Sequence, residues 1–230
     1  MAAKAQARLG FVLFAVIAAA AATFVLVRRS AAPSGSDHRT VRQLIVHYNL
    51  LARPDDPIIV LGDSIVEAAT LPASACGHPV VNAGLAGAGT RSDLAGWLKP
   101  ALGPKRPFAV IVSLGVNDAL TAKPDSSEVF AGRYEALLRE LSKLTTRIFI
   151  AEFPLVEARG PFTPAMEKAA MASITGYRAM LPDLARRTGA TFLPLPPMES
   201  PFTLEGIHLN ATGYRSWDQA ILQGTELACR

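Results

Sequence analysis

The sequence predicts an α/β fold in which a five-stranded parallel sheet is covered by helices on both sides, with one N-terminal transmembrane helix ahead of it. Two observations predict the domain. From residue 40 onward, short apolar runs of strand length alternate with longer amphipathic stretches, the pattern of successive βαβ units. Two of the runs, Ile58–Leu61 and Phe108–Leu114, lack polar alternation, as strands buried on both faces do. The third observation concerns the leading helix. Leu9 to Val27 carries no charge and matches the roughly 20 residues a helix needs to cross a bilayer.

The leading run admits two readings. A cleaved signal peptide has an apolar core of about 7–15 residues followed by a small-residue site. This run is longer and ends on Arg28-Arg29, which favours an uncleaved anchor, although cleavage within the alanine-rich middle stays open. Lys4 and Arg8 precede it, so the positive-inside rule leans toward an inner amino terminus and an extracytoplasmic domain. That means a periplasmic domain in a Gram-negative cell, or a secreted one if the segment is removed. Residues 1–30 are thus read as the anchor or signal, 31–39 (with Pro33, Ser34, Gly35 and Ser36) as a flexible linker, and 40–230 as the domain.

Charge excludes one class of partner. The chain has 23 basic and 19 acidic residues, but four of the basic ones, Lys4, Arg8, Arg28 and Arg29, lie in the anchor. The domain is therefore neutral and lacks the phosphate grip of a nucleic-acid binder.

Within the domain, Thr40 to Ala52 spaces Val41, Leu44, Ile45, Tyr48 and Leu51 as one buried helical face. Arg53 to Pro57 breaks this helix before the first strand, Ile58–Leu61, which ends at Gly62. A short helix follows Ser64. Pro79–Asn82 is the second strand, and Thr90 caps a helix to about Leu102. Phe108–Leu114 is the third strand, central because it is apolar. Ser126–Leu144 is a helix with Val129, Phe130, Leu137, Leu138 and Leu141 inward. Arg147–Glu152 is the fourth strand, and a helix to Thr188, bent at Pro182, leads to the fifth, Thr191–Leu195. Asn210 or Thr212 caps the last helix, ending near Leu227.

The chemistry-bearing residues follow strand ends. Asp63-Ser64 alone would read as a helix cap, but a serine at a strand's carboxyl end also stands where ligand crevices form. A nucleophilic serine needs a base and the base an orienting partner. Of the four histidines, His38, His47 and His78 have no acid beside them at a strand edge, whereas His208 has Glu205 three residues earlier. Gly84 could offer a backbone N–H and Asn117 its amide to a developing oxyanion, with the Ser64 N–H as a third donor. Each residue singly also suits an ordinary turn or loop.

Together, Gly62-Asp63-Ser64, Gly84 in Asn-Ala-Gly, Gly115-Val-Asn117-Asp118 and Gly206-Ile-His208 resemble the four signature blocks of the SGNH hydrolases, also called GDSL esterases. The resemblance runs from about Ile58 to Tyr214, with the blocks in family order. It implies a flavodoxin-like three-layer fold, Ser64 as nucleophile, His208 as base, and the Ser64 N–H, Gly84 N–H and Asn117 amide as oxyanion donors. The family places Asp where this chain has Glu205, so the third member is either Glu205 or a backbone carbonyl serving a Ser-His dyad.

The expected activity is hydrolysis of carboxylic ester or thioester bonds in an envelope substrate, through an acyl-enzyme. Acyl transfer to an envelope glycan and a non-catalytic envelope binding module are the alternatives. No cofactor or metal site is expected: the Gly84, Gly87, Gly89 spacing is not the dinucleotide pattern, and no His/Cys/acid cluster has metal spacing. Phe153–Pro164 and Pro194–Leu204 are expected to line the substrate pocket. Oligomeric state is not written in the sequence. Cys76 and Cys229 read by default as free buried thiols. The alternative is a disulfide, since a flavodoxin-like order puts the helix after strand one and the last helix on one face.

Overall fold

The computed structural model describes residues 35–53 and 56–230. The expected membrane span, Leu9–Val27, lies outside them, and no helix among the described residues is long and apolar enough to cross a membrane. The chain divides into residues 1–41 and 42–230, and the second unit holds the whole sheet.

Helix α1 (Gly35–Leu51) begins inside the stretch expected to be a spacer. The sheet contains β1 (Ile58–Gly62), β2 (Ser74–Ala75), β3 (His78–Gly84), β4 (Ala109–Ser113), β5 (Ile148–Ala151) and β6 (Thr191–Leu193), in the order β2-β3-β1-β4-β5-β6. The expected five parallel strands are present, but the sheet has six and is mixed. Two-residue β2 pairs antiparallel with β3, too short to leave a period-two pattern in the sequence.

Helices α2 (Ser64–Ala68), α3 (Leu94–Leu102), α4 (Val116–Ala119), α5 (Ser127–Ser142), α6 (Pro164–Thr188) and α7 (Ala211–Ala228) complete the domain. From β1 the chain steps one way to β3, then crosses back over β1 to β4 and continues outward. Right-handed crossovers therefore place α2 on one face and α3, α5 and α6 on the other. The packing agrees: α3 meets α5, and α5 meets α6, which lies on β5 and β6. Helix α7 joins α2, the Tyr214 hydroxyl donating to Ile65 O at 2.8 Å. Strand order reverses between β1 and β4, so a crevice opens at their carboxyl ends.

Several expectations change. Asp93, not Thr90, caps α3, its carboxylate accepting from Gly96 N. Val129 is exposed on α5, while Phe130, Leu137, Leu138 and Leu141 are buried. Asn210 is the cap of α7. The default of free thiols is overturned: Cys76 and Cys229 form a disulfide, with Cα atoms 6.1 Å apart.

Helix α1 is turned over. The face expected to be buried is exposed, while Val46 and Leu50 are buried. Its polar residues face the domain. Gln43 Nε2 donates to Trp97 O, and the His47 ring bonds Ala101 O at 2.9 Å. Those hydrogen bonds to α3 fix the helix in this rotation.

Candidate active site

The turn carrying Ser64 follows from close packing. A Cβ at Gly62 would lie 2.2 Å from Ser113 O and 2.4 Å from Val66 Cγ2, so only glycine lets α2 fold back over β1. Asp63 then caps α2, accepting from Ile65 N at 2.9 Å. Asp63 is buried, and burial pushes its carboxyl up to about 7 against the opposing hydrogen bond from Ile65. Ser64 is the first residue of α2, so its N–H is one of the helix's unpaired donors.

The His208 loop is built as a narrow hairpin. Thr203 pairs with Leu209, Leu204 N donates to His208 O, and Asn210 N donates to Phe202 O. Gly206 at φ +107° makes the turn, where a Cβ would meet Phe162 and Glu157 O. A buried carboxylate from another loop holds this hairpin. Glu157 Oε2 accepts from Phe202 N, Thr203 N and Thr203 Oγ1 at 3.0, 2.8 and 2.6 Å. Burial works against the Glu157 charge, but these donors hold its carboxyl below the usual carboxylate range. Sequence reasoning misses Glu157; its one signal is an acid in the otherwise apolar exit from β5, Phe153 to Ala158.

The hairpin brings His208 Nε2 to 2.9 Å from Ser64 Oγ, across 144 residues of chain. Its Nδ1 lies in a short contact with Glu205 Oε1. Burial would raise the Glu205 carboxyl, yet hydrogen bonds from the His208 ring and backbone hold it below its ordinary value. An ionised Glu205 accepts a hydrogen bond from Nδ1–H, which leaves Nε2 as acceptor for the serine hydroxyl.

The expected oxyanion donors fare differently. Gly84 N already donates to Asn82 Oδ1 at 2.9 Å. A Cβ at Gly84 would lie 2.1 Å from Glu67 N, so this glycine serves the contact between β3 and α2. The expectation of a Gly84 N–H available to a ligand is therefore corrected. Asn82 is the physical reason: its amide also donates to Val66 O and Ala69 O, clamping strand to helix. In the loop beyond, Leu85 N, Ala86 N and Ala88 N donate to Gly62 O, Glu67 Oε2 and Leu85 O. The Gly87 N–H has no acceptor among the described residues, and Gly87 sits exposed at φ +76°. In the sequence, Gly87 registers only as part of a failed dinucleotide pattern.

Asn117, on α4, spends one amide hydrogen on Ala88 O at 2.8 Å, leaving the second to point elsewhere. That bond ties Asn117 to the Gly87 turn. Asp118 fastens the same loop from behind, accepting from Thr90 N at 3.0 Å and Thr90 Oγ1 at 2.5 Å. Gly115 precedes α4 at φ +147°, where a Cβ would strike the Phe153 ring.

The two loops expected to line a pocket bound two hollows. One of about 400 Å³ lies against Glu157, Arg159 and Phe202, and one of about 210 Å³ against Leu155, Leu195 and Met198. Neither is lined by Ser64 or His208. Among the described residues no group of three or more His, Cys, Asp or Glu could hold a metal ion.

Residues 60–216 match the family described as GDSL-like Lipase/Acylhydrolase. No curated protein matches. Among solved structures, the chain is similar to a protein from Streptococcus pneumonia provisionally described as a platelet activating factor. The TM-score is 0.67 at 20% identity, over 89% of this chain and 99% of that one. A GDSL-like lipase from Bacteroides thetaiotaomicron gives 0.60 at 15% identity, over 81% and 98%. An acetylxylan esterase from Geobacillus stearothermophilus, solved as a catalytic mutant, gives 0.54 at 16%, over 74% and 94%. At these identities the likenesses concern the fold.

Proposed function

The chain belongs to the GDSL-like lipase and acylhydrolase family, and on that premise we propose that it hydrolyses carboxylic ester or thioester bonds through an acyl-enzyme on Ser64. The observation that carries this reading is one imidazole bridging a serine hydroxyl and a carboxylate, Nε2 to Ser64 Oγ at 2.9 Å and Nδ1 to Glu205. The strand order, read without β2, supports the flavodoxin-like three-layer arrangement.

In the first half-reaction His208 Nε2 takes the Ser64 proton as Oγ bonds to the acyl carbon. Glu205, ionised, stabilises the imidazolium without itself taking the proton. The oxyanion collects hydrogen bonds from the Ser64 N–H, the second Asn117 amide hydrogen and the Gly87 N–H, Gly87 standing in place of Gly84. Each such donor contributes about 3–4 kcal/mol to the transition state. His208 returns its proton to the leaving alcohol or thiol. Water then attacks the acyl carbon, giving its proton to Nε2, and Ser64 Oγ leaves with that proton.

The short Glu205–His208 contact supports a triad rather than a dyad and counts against a non-catalytic module. The uncharged run Leu9–Val27 supports an anchored enzyme acting on an envelope ester outside the cytoplasm. An acetylated glycan is one such substrate. The likeness to an acetylxylan esterase makes acetylated oligosaccharide the first to assay, with product analysis to separate release to water from transfer to a sugar hydroxyl. Ser64→Ala is expected to remove hydrolysis of a p-nitrophenyl ester by about 10⁶-fold in kcat, with unchanged circular dichroism. Activity retained by that variant overturns the assignment.

A further inference from the structure

The exposed side of α1 takes no part in the chemistry of Ser64. Leu44, Ile45, Tyr48 and Leu51 are 47, 43, 59 and 59% exposed, and Val41 one turn earlier is 53% exposed. Positions 41, 44, 45, 48 and 51 form one helical stripe, continuous and apolar. The opposite side is fastened inward: Arg42 donates to Gly84 O and Asn82 Oδ1 at 2.8 Å each, beside the bonds of Gln43 and His47 to α3. The helix therefore cannot roll its apolar side into the core without breaking those bonds. A soluble domain rarely leaves so much contiguous apolar surface in water.

We propose that this stripe rests in the boundary between headgroups and acyl chains of a lipid bilayer, making α1 an interfacial helix that docks the domain on the membrane. The inference rests on the proposed anchoring of the chain through Leu9–Val27. Seven residues, 28–34, separate Val27 from Gly35. Fully extended they reach about 24 Å, so a bilayer holding Leu9–Val27 lies within reach of α1. Arg28 and Arg29 open that connection and favour an anionic headgroup layer. The stripe suits the boundary: aliphatic side chains beside Tyr48, whose ring carries a polar tip. A second copy of the chain would cover the same stripe, but the short connection makes lipid the nearer occupant.

Docking has a consequence for the site. Arg42 binds at the carboxyl ends of the strands, where Gly84 meets α2 just beyond Ser64. The helix that receives the membrane is thus tied, on its inner side, to the rim of the crevice.

The test uses the full chain reconstituted in phosphatidylcholine vesicles containing phosphatidylglycerol. Both native cysteines are in the disulfide, so Tyr48→Cys takes a nitrobenzoxadiazole label selectively. Arg139→Cys, on the outer side of α5 with its side chain 69% accessible, serves as the solvent reference. Chains should float with the vesicles, and the label at 48 should be quenched by a shallow spin-labelled lipid at least threefold more than that at 139. Ile45→Glu should halve this quenching while leaving hydrolysis of a soluble ester unchanged. Equal quenching at 48 and 139 in floating chains overturns the docking alone. Failure to float overturns the anchor and the docking together. A blue shift at 48 that rises with protein-to-lipid ratio and resists lipid quenching identifies a second copy and also overturns it.

Discussion

Ser64 stands at the end of a strand buried at every residue, whereas His208 stands on a hairpin with its side chain 43% accessible. The serine's place is dictated by backbone packing: Gly62 and Gly84 each occupy a point where any Cβ would strike main chain. The histidine's place is dictated by polar attachment, through Glu157, Glu205 and the Asn210 amide donating to Pro201 O. Dense packing resists displacement because neighbours cannot relax. A polar attachment holds only while its charges and protons are right. The two halves of the site should therefore fail in different ways.

Breaking the polar half at its centre has the largest expected effect. His208→Ala removes the proposed base and should lower kcat by about 10⁴-fold or more, with Glu205→Ala nearly as severe, since parts of a triad act as a unit. Steady-state kinetics on a short ester check both, and thermal melting should show little change. Breaking the packed half does the reverse. Gly84→Ala forces a Cβ to 2.1 Å from Glu67 N and should cost about 3 kcal/mol or more of stability. Gly87→Ala meets no atom within 4 Å. It should cost only about 1–2 kcal/mol, for its positive φ, with its main effect on kcat. Urea melts of the pair decide between a structural Gly84 and a structural Gly87.

A subtler intervention sharpens the contrast. Glu157→Ala strips Phe202 N, Thr203 N and the Thr203 hydroxyl of their acceptor. Displacement of the hairpin by about 1 Å should cost about 10² in kcat with KM nearly unchanged. Glu157→Gln, which can still accept, should restore most of it, whereas a purely structural role predicts no split between kcat and KM.

The pH dependence of stability has opposite signs in the two halves. Folded Asp63 keeps its proton to about pH 7, against an ordinary value of 3.8. Its contribution to stability is full below pH 3.8 and is lost as pH rises to 7. Glu205 is held below its ordinary value, so its contribution is present at higher pH and lost as pH falls through the folded value. Across about pH 3–8, urea midpoints should lose their fall between pH 3.8 and 7 in Asp63→Asn and their rise at the acid end in Glu205→Gln.

The same contrast governs what the sequence made legible. Continuous apolar runs announced β1 and β4, because burial on both faces leaves few choices of residue. Ser64, Asn117 and His208, by contrast, singly look like turn or loop residues and stand out only when the four blocks are read together. Gly84 misled because a glycine needed for close approach looks the same as one needed for an exposed N–H; only the Asn82 bond separates them. Glu157 escaped because its partners lie 45 and 46 residues away, in a loop without periodicity. Helix α1 misled most instructively. Its period was right, but periodicity finds an apolar face and cannot say what covers it.

The disulfide sets an order of events along the chain. Cys76 lies in the turn leading into β3 and Cys229 caps the far end of α7, 153 residues later. That clasp cannot close until every residue from Cys76 to Cys229 has emerged from the ribosome. Synthesis halted between the two leaves a lone thiol at position 76, so covalent closure marks a domain synthesised through its last helix and not a partial one.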